Sequence, residues 1–402
     1  MKTYTLPAIW LLVFIVGLPQ LTETIYTPSL PTIAHALRVA DFWVEYTLTI
    51  YLFAFALGTL FWGKISDTHG RKPCLLIGLA IYGVGCVGCY FSDSITTLMI
   101  SRFVQAFGGS VGSVLGQAIC RDAFQGAALG KAYSTIGSAL ALFPALGPVI
   151  GGVIDQTFGW SAIFLALIGA GIFVWVCCFV YLPETHFPRG KPTHSFFQTG
   201  TKLLTDPKVL GFGLIVAGCN GITFSYYAEG PFFLIELLGL TPTIYGTTYL
   251  AISGAMVIGG LISRHLHQHR PNDVILHYGL RAVLIGCTFF AGFIVWSQTF
   301  PVTNNVVITT TIGCMMIVSA GTCMALSNAL AMALQDYRHA IGTASSVFGF
   351  FYYLVISLFT LGIGWLHNST LLPMPLYFLG ISVFMMIIFK MLVQRKFRKG
   401  IS

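Results

Sequence analysis

The stretch Gly63-Lys64-Ile65-Ser66-Asp67-Thr68-His69-Gly70-Arg71-Lys72 sets ionisable side chains and two glycines between apolar runs that are each long enough to cross a bilayer. It reads as a tight turn joining two membrane helices. Gly63 and Gly70 permit the positive-φ backbone such a turn needs, and Lys64, Arg71 and Lys72 hold it on the cytoplasmic side. Asp67 is not explained by topology. A carboxylate there can accept hydrogen bonds from the N-terminus of a neighbouring helix, whose partial positive charge it complements.

On either side of this stretch the composition points the same way. Of 402 residues, 56% are hydrophobic and 8% charged, so the chain lacks the polar groups that the surface of a soluble protein requires. Its mean hydropathy of +0.82 makes lipid its solvent. About twelve spanning helices with short connections fit this length. The formal net charge of +8 does not point to nucleic acid, because the basic residues gather in alternate connections. With a cytoplasmic N-terminus, Lys64, Arg71, Lys72, Arg121, Lys131, Arg189, Lys191, Lys202, Lys208, Arg264, Arg270, Arg338 and the tail Arg395-Lys396-Phe397-Arg398-Lys399 all fall inside. Asp41, Asp93, Asp155 and Glu236 fall outside, with Arg38 the exception. Both termini are then cytoplasmic. The first apolar run lacks a small-x-small cleavage site and is read as a retained helix.

Apolar runs broken by turn or charge signals place the helices at approximately 6–28, 44–63, 74–92, 96–119, 130–153, 160–182, 208–232, 244–264, 275–297, 304–328, 341–366 and 372–392. The organisation is a six-helix bundle over 1–182, a cytoplasmic linker over 183–207 rich in proline, glycine and lysine, and a second six-helix bundle over 208–402 ending in the basic tail. The ten cysteines lie mostly inside apolar runs, where they behave as small hydrophobes, including the Cys86-x-x-Cys89 pair. His265-x-His267-x-His269, flanked by Arg264 and Arg270, reads as a solvated basic loop. No metal or cofactor is expected.

Ionisable groups inside a membrane helix cost a few kcal/mol or more, so each is a candidate for function. Three stand out: Glu23, Arg102 and Glu229. Arg102 lies roughly 9 Å below the outer face at 1.5 Å per residue, and Glu23 sits at a comparable depth, so the two could meet. A carboxyl whose cationic partner moves away gains proton affinity, which is the physical requirement for proton coupling. Glu229, before Gly230-Pro231, is open to two readings, a carboxylate recognising a cationic ligand or a residue reaching the outer interface. Glu45 sits closer to the surface and reads as interfacial. Tyr26, Tyr46, Tyr51, Phe143, Tyr226, Tyr227, Tyr352 and Tyr353 fall in or near helices that could border a cavity suited to flat, amphipathic molecules. With Gln105 and Glu229, the candidate substrate contacts are Tyr26, Phe143, Tyr226 and Tyr352. Gly108, Gly112 and Gly116 make a small-residue seam, and Gly147-Pro148-Val149-Ile150-Gly151-Gly152 combines a kinking proline with glycines that permit close helix contact.

The Gly-x-x-x-Asp-x-x-Gly-Arg-Lys pattern at 63–72 resembles the loop between the second and third helices of major facilitator superfamily transporters. The segment from Arg102 to Gly109 resembles their fourth-helix arginine motif, with Ala106 where glycine is usual. The run from Gly147 to Gly152 resembles the motif of their antiporters. Arg121-Asp122, Phe158-Gly159-Trp160-Ser161-Ala162-Ile163-Phe164, Leu182-Pro183-Glu184-Thr185 and Gly342-Thr343-Ala344-Ser345-Ser346 sharpen the likeness to drug/proton antiporters of the bicyclomycin and chloramphenicol resistance type. Departures are Ser161, where arginine is frequent, Glu45, where glutamine is frequent, and Glu229, where a small residue is usual.

The resemblance implies an all-α integral membrane fold of twelve helices in two pseudo-symmetric bundles with the site between them. It further implies a multi-pass protein of a bacterial inner membrane, active as a monomer, that exchanges protons for small molecules on Glu23 and Arg102. It makes Gly63, Asp67, Gly70, Arg71, Lys72, Gly147, Pro148, Gly151 and Gly152 gating residues, with Asp67 clamping the two halves on the cytoplasmic side. The proton gradient is then the energy source. A phosphate-binding loop, which a primary pump would need, is missing, as are a repeated channel filter and an in-membrane catalytic set. Export or import of a specific metabolite stays open beside drug export.

Overall fold

The computed structural model describes residues 6–140, 142–186 and 196–394, among which there is no β-strand. The first half holds α1 (Ile9–Ile25), α2 (Leu30–Leu37), α3 (Asp41–His69), α4 (Arg71–Tyr90), α5 (Ile95–Ala123), α6 (Gly126–Leu140), α7 (Phe143–Phe158) and α8 (Ser161–Tyr181). After α9 (Phe196–Thr205), the second half holds α10 (Pro207–Pro231), α11 (Pro242–Leu266), α12 (Asn272–Thr299), α13 (Asn304–Ala333), α14 (Ile341–Leu366) and α15 (Pro373–Ile388). Among the described residues eleven helical stretches are long and apolar enough to span a membrane, and α6 with α7 in series makes the twelfth. The architecture is two six-helix bundles side by side.

The helices outrun the apolar runs that define them. α3 continues through the expected turn to His69, and the turn shrinks to Gly70 at φ 93°, ψ 158°. A helix that extends past the hydrocarbon satisfies its own backbone while its long side chains reach water, so charge by itself does not end it. Gly63 is therefore helical and has no positive φ; its lack of a side chain instead lets α14 approach, since a Cβ there would stand 3.1 Å from Ser346 Cβ. The expected single helix over 130–153 is broken between α6 and α7, where Pro144 occupies the first turn of α7 and cannot donate to a preceding carbonyl. The first span likewise passes through a 3-10 turn at Thr27–Ser29, around Pro28, into α2, which ends at Arg38 in the left-handed conformation. Within the expected linker, α9 forms. Residues 187–195 of that linker, with Arg189 and Lys191, and the basic tail 395–399 lie outside the described residues.

Each half has its own apolar core. One gathers α1, α4, α5 and α8; the other gathers α10 to α15. The cores trespass on each other at Leu48 and Leu52, which pack into the second half, and at Phe232, which packs into the first. Outward-facing Phe173, Val176, Val180, Ile285 and Phe289 are exposed, as side chains meeting lipid tails must be. Within the first half the glycine seam of α5 serves two neighbours. A Cβ on Gly108 would strike the α4 backbone at Tyr82, while one on Gly112 or Gly116 would strike α1 at Ile15 or Val16.

Candidate functional site

A cavity of about 610 Å³ lies between the halves and reaches from Asp67, Arg71 and Arg121 at one end to Gln20, Phe55, Tyr352 and Tyr353 in the middle of the bundle. α10, α11 and α13 contribute Asn220, Met256 and Cys323 from the opposite wall. The lining mixes apolar side chains and three aromatics, Phe55, Tyr352 and Tyr353, with hydroxyl, amide and charged groups, a surface that can hold an amphipathic small molecule. Of the six candidate substrate contacts, Tyr352 lines this cavity. Tyr226 borders a separate small void of about 30 Å³ with Tyr227, Tyr249 and Thr322. The Phe143 ring fills the hollow left by Gly17 on α1. Tyr26, Gln105 and Glu229 are fully buried elsewhere.

Two buried charges lie outside the lining of this cavity. Arg102 and Glu23 have essentially no solvent exposure, yet no ion pair joins them within 4.0 Å. Arg102 instead stacks between Tyr26 and Tyr51, its guanidinium carbon 4.5 Å and 4.3 Å from their ring centroids. Its Nη1 donates to Gln105 Oε1 at 2.6 Å, and the Gln105 amide donates onward to Cys86 Sγ at 3.0 Å. Tyr26 is itself fixed by a 2.8 Å hydrogen bond with Thr47. Among the described residues Nε and Nη2 of Arg102 and Oε1 of Glu23 lack hydrogen-bond partners. Glu23 is within electrostatic range of Arg102 and of Tyr51, Tyr227, Tyr352 and Tyr353, so it faces both halves. A buried carboxyl and a buried guanidinium held apart, each partly unsatisfied, form an arrangement that a proton or a movement can alter at little cost.

At the end of the bundle away from Asp67 the halves are sealed along two seams. In the first, α7 lies on α11. A Cβ on Gly152 would collide with the Pro242 carbonyl and one on Gly246 with the Pro148 carbonyl, while one on Gly151 would collide with the Ile25 carbonyl of α1 inside the first half. Thr243 Oγ1 donates to Gln156 Oε1 at 2.6 Å across this seam. In the second, α3 lies on α14, with Thr49 Oγ1 donating to Thr360 Oγ1 at 3.2 Å and, further in at the cavity wall, the Phe55 and Tyr353 rings 4.7 Å apart.

The second seam ends in an ionic cluster that no motif announced. His367, just beyond α14, places Nδ1 2.9 Å from Glu229 Oε2 and 3.2 Å from Glu45 Oε1, and Nε2 3.3 Å from Asp41 Oδ2. Burial works against a charged imidazole there, but the facing carboxylates of Asp41, Glu229 and Glu45 outweigh it and push the His367 pKa up to about 12. Asp41 and Glu45 belong to the first half, Glu229 and His367 to the second. The sequence marked Glu229 as a charge inside an apolar run and Glu45 as interfacial; Glu45 is instead fully buried, because α14 and His367 close over the start of α3.

At the Asp67 end the charged residues form a network within the first half. Arg71 donates from Nη1 to Asp67 Oδ1 at 2.6 Å and to Ser66 Oγ at 2.7 Å, and from Nε to Asp122 Oδ2 at 2.9 Å. The role of accepting from a helix N-terminus, expected of Asp67, is filled by Glu184. Its carboxylate receives the backbone N–H groups of Arg71 at 2.9 Å and Lys72 at 3.1 Å, the first residues of α4, together with those of Thr185 and His186. Lys72 Nζ donates to the Phe179 carbonyl at 2.8 Å.

Two membrane-embedded halves around a cavity that opens at one end and is sealed at the other define a transporter rather than an enzyme. The chain belongs to the major facilitator superfamily, whose family description matches residues 10–360. A Rickettsia bellii protein named an uncharacterized transporter is 34% identical over 379 residues, 93% of each chain. A chloramphenicol resistance protein of Pseudomonas aeruginosa is 28% identical over 374 residues, 91% of this chain and 85% of its own. A solved structure described as a bacterial homologue of the human lysosomal transporter Spinster, inward-facing and unoccupied, shares the fold, with a TM-score of 0.72 at 14% identity over 94% of each chain.

Proposed function

We propose that this transporter exports small amphipathic molecules across a bacterial inner membrane in exchange for protons, with the Asp67 end in the cytoplasm. The observation that carries the reading is Glu23. It is a fully buried carboxyl that feels the charge of Arg102 without an ion pair to it, and it is electrostatically coupled to Tyr352 and Tyr353, which line the cavity. A proton arriving from the sealed side neutralises Glu23, which removes its attraction for Arg102, and release inside restores it. Rocking of the halves about the α3–α14 and α7–α11 seams exposes the cavity to each side in turn. Phe55, Tyr352 and Tyr353 supply stacking surface for flat ligands, and Gln20 and Asn220 supply polar contacts. Gly63, Asp67, Gly70, Arg71 and Lys72 at one end and Gly147, Pro148, Gly151 and Gly152 at the other govern closure. The relatives named for chloramphenicol and multidrug resistance support drug-like cargo. The cavity lies within one chain, so a monomer suffices.

The test is proton exchange in inverted membrane vesicles with an inside-acidic gradient, challenged in turn by cationic, neutral and anionic compounds. At least one compound dissipates the gradient in the wild type, and Glu23→Gln abolishes that response while retaining binding. Binding without any proton movement in the wild type would sink the antiport reading.

A further inference from the structure

Glu45, Glu229 and His367 present three potential ligand atoms within 4.8 Å of one another, at the sealed end of the transporter and remote from the cavity. Three features set this cluster apart from an ordinary surface group of acids. Glu45 is completely buried and among the described residues neither of its oxygens has a hydrogen-bond partner, although Oε1 faces His367 Nδ1 at 3.2 Å. Glu229 is 1% exposed and approaches the same Nδ1 at 2.9 Å. One ring nitrogen thus confronts two buried carboxylates and carries at most one proton for both. On the far side of the ring Nε2 meets Asp41 at 3.3 Å, and a carboxylate in that position fixes the tautomer of a metal-bound histidine. With Nε2 protonated, the Nδ1 lone pair points at the space between Glu45 and Glu229.

We propose that Glu45, Glu229 and His367 bind a divalent transition-metal ion of the zinc type, oriented by Asp41, which bridges the two halves and latches this end shut. Bonds of about 2.0–2.2 Å from a tetrahedral ion to N and O ligands put those ligands about 3.3 Å apart, close to the spacings seen here. Glu236 lies near enough to add to the field, and His35, 3.9 Å from it, is exposed. Gly364 lets α14 close on α3 here, because a Cβ there would stand 2.8 Å from the Tyr46 ring and 3.3 Å from Glu45 Oε2, and the Phe232 ring covers His367 at 5.5 Å. Ligands from both halves make the ion a conformational effector, since it can bind only where α3, α10 and α14 converge. This holds whatever the cavity carries.

The experiment uses the full chain in nanodiscs, with any affinity tag removed and His265, His267 and His269 replaced by asparagine so that they cannot take up zinc. Zn²⁺ is titrated against a chromophoric chelator, while spin labels on the ends of α3 and α14 report their separation. One Zn²⁺ binds per chain in the parent. Glu45→Gln and His367→Gln each weaken it at least tenfold, and Asp41→Asn weakens it roughly 10- to 100-fold, as loss of an orienting carboxylate does. Bound Zn²⁺ narrows the label distances to the closed population, and a chelator reverses this. Failure to bind one equivalent, or equal binding by the parent and the Glu45→Gln and His367→Gln variants, overturns the proposal. So does a closed population that responds to pH and not to Zn²⁺, which would show that the cluster is held by a proton.

Discussion

Arg102 meets two aromatic faces and one amide oxygen at once, which suits a planar guanidinium and not a compact ammonium. Arg102→Lys keeps the charge but gives up the stacking between Tyr26 and Tyr51. A desolvated cation–π contact is worth about 2 kcal/mol, so the substitution lowers the thermal midpoint of the purified protein and reduces transport together. A thermal shift with transport unchanged would mean that the stack only packs the helices. Arg102 and Glu23 were legible in the sequence as costly charges in apolar runs. Their separation was not, because depth along two helices does not say which way each side chain turns. Tyr51, one face of the stack, carried no signal beyond being aromatic.

The α3–α4 junction is an element whose chemistry lies in another helix. Gly70 adopts a backbone conformation open essentially to glycine alone, at a cost to other residues of order 1–3 kcal/mol, and its missing side chain leaves Glu184 Oε2 room, 2.7 Å from where a Cβ would stand. Glu184→Ala strips four backbone N–H groups of their acceptor and is expected to cost about 1–3 kcal/mol. Gly70→Ala falls in the same range, and because both act on one contact the double substitution costs less than their sum. Thermal unfolding of the three variants checks this; strict additivity would mean that Glu184 and Gly70 act separately. The pattern at 63–72 announced a junction correctly but overstated the turn. Charge marks where lipid ends, whereas helix termination needs a backbone reason, which only Gly70 provides.

Across the whole molecule, the α3–α14 and α7–α11 seams hold one end shut while the cavity opens at the other. Thr49 and Thr360 touch across the first seam with their Oγ1 atoms 3.2 Å apart, so Thr49→Cys with Thr360→Cys places two sulfurs within bonding reach. Oxidation of that pair locks the halves and is expected to reduce transport to background, with recovery on reduction. Native cysteines interfere little, since nine of the ten are buried and none is paired. Full activity in a demonstrably cross-linked protein would rule out rocking at this seam. Membership of a membrane-spanning class, the number of spans and the buried charges all followed from local order along the chain. Hydrophobic length, proline, glycine and charge act over a few residues, and lipid leaves the backbone only helices to satisfy them. The state of the cavity, the cap from Glu184 and the convergence of Asp41, Glu45, Glu229 and His367 required the folded chain. Those residues are separated by up to more than three hundred positions, and only the packing of two independently cored halves decides which of them meet.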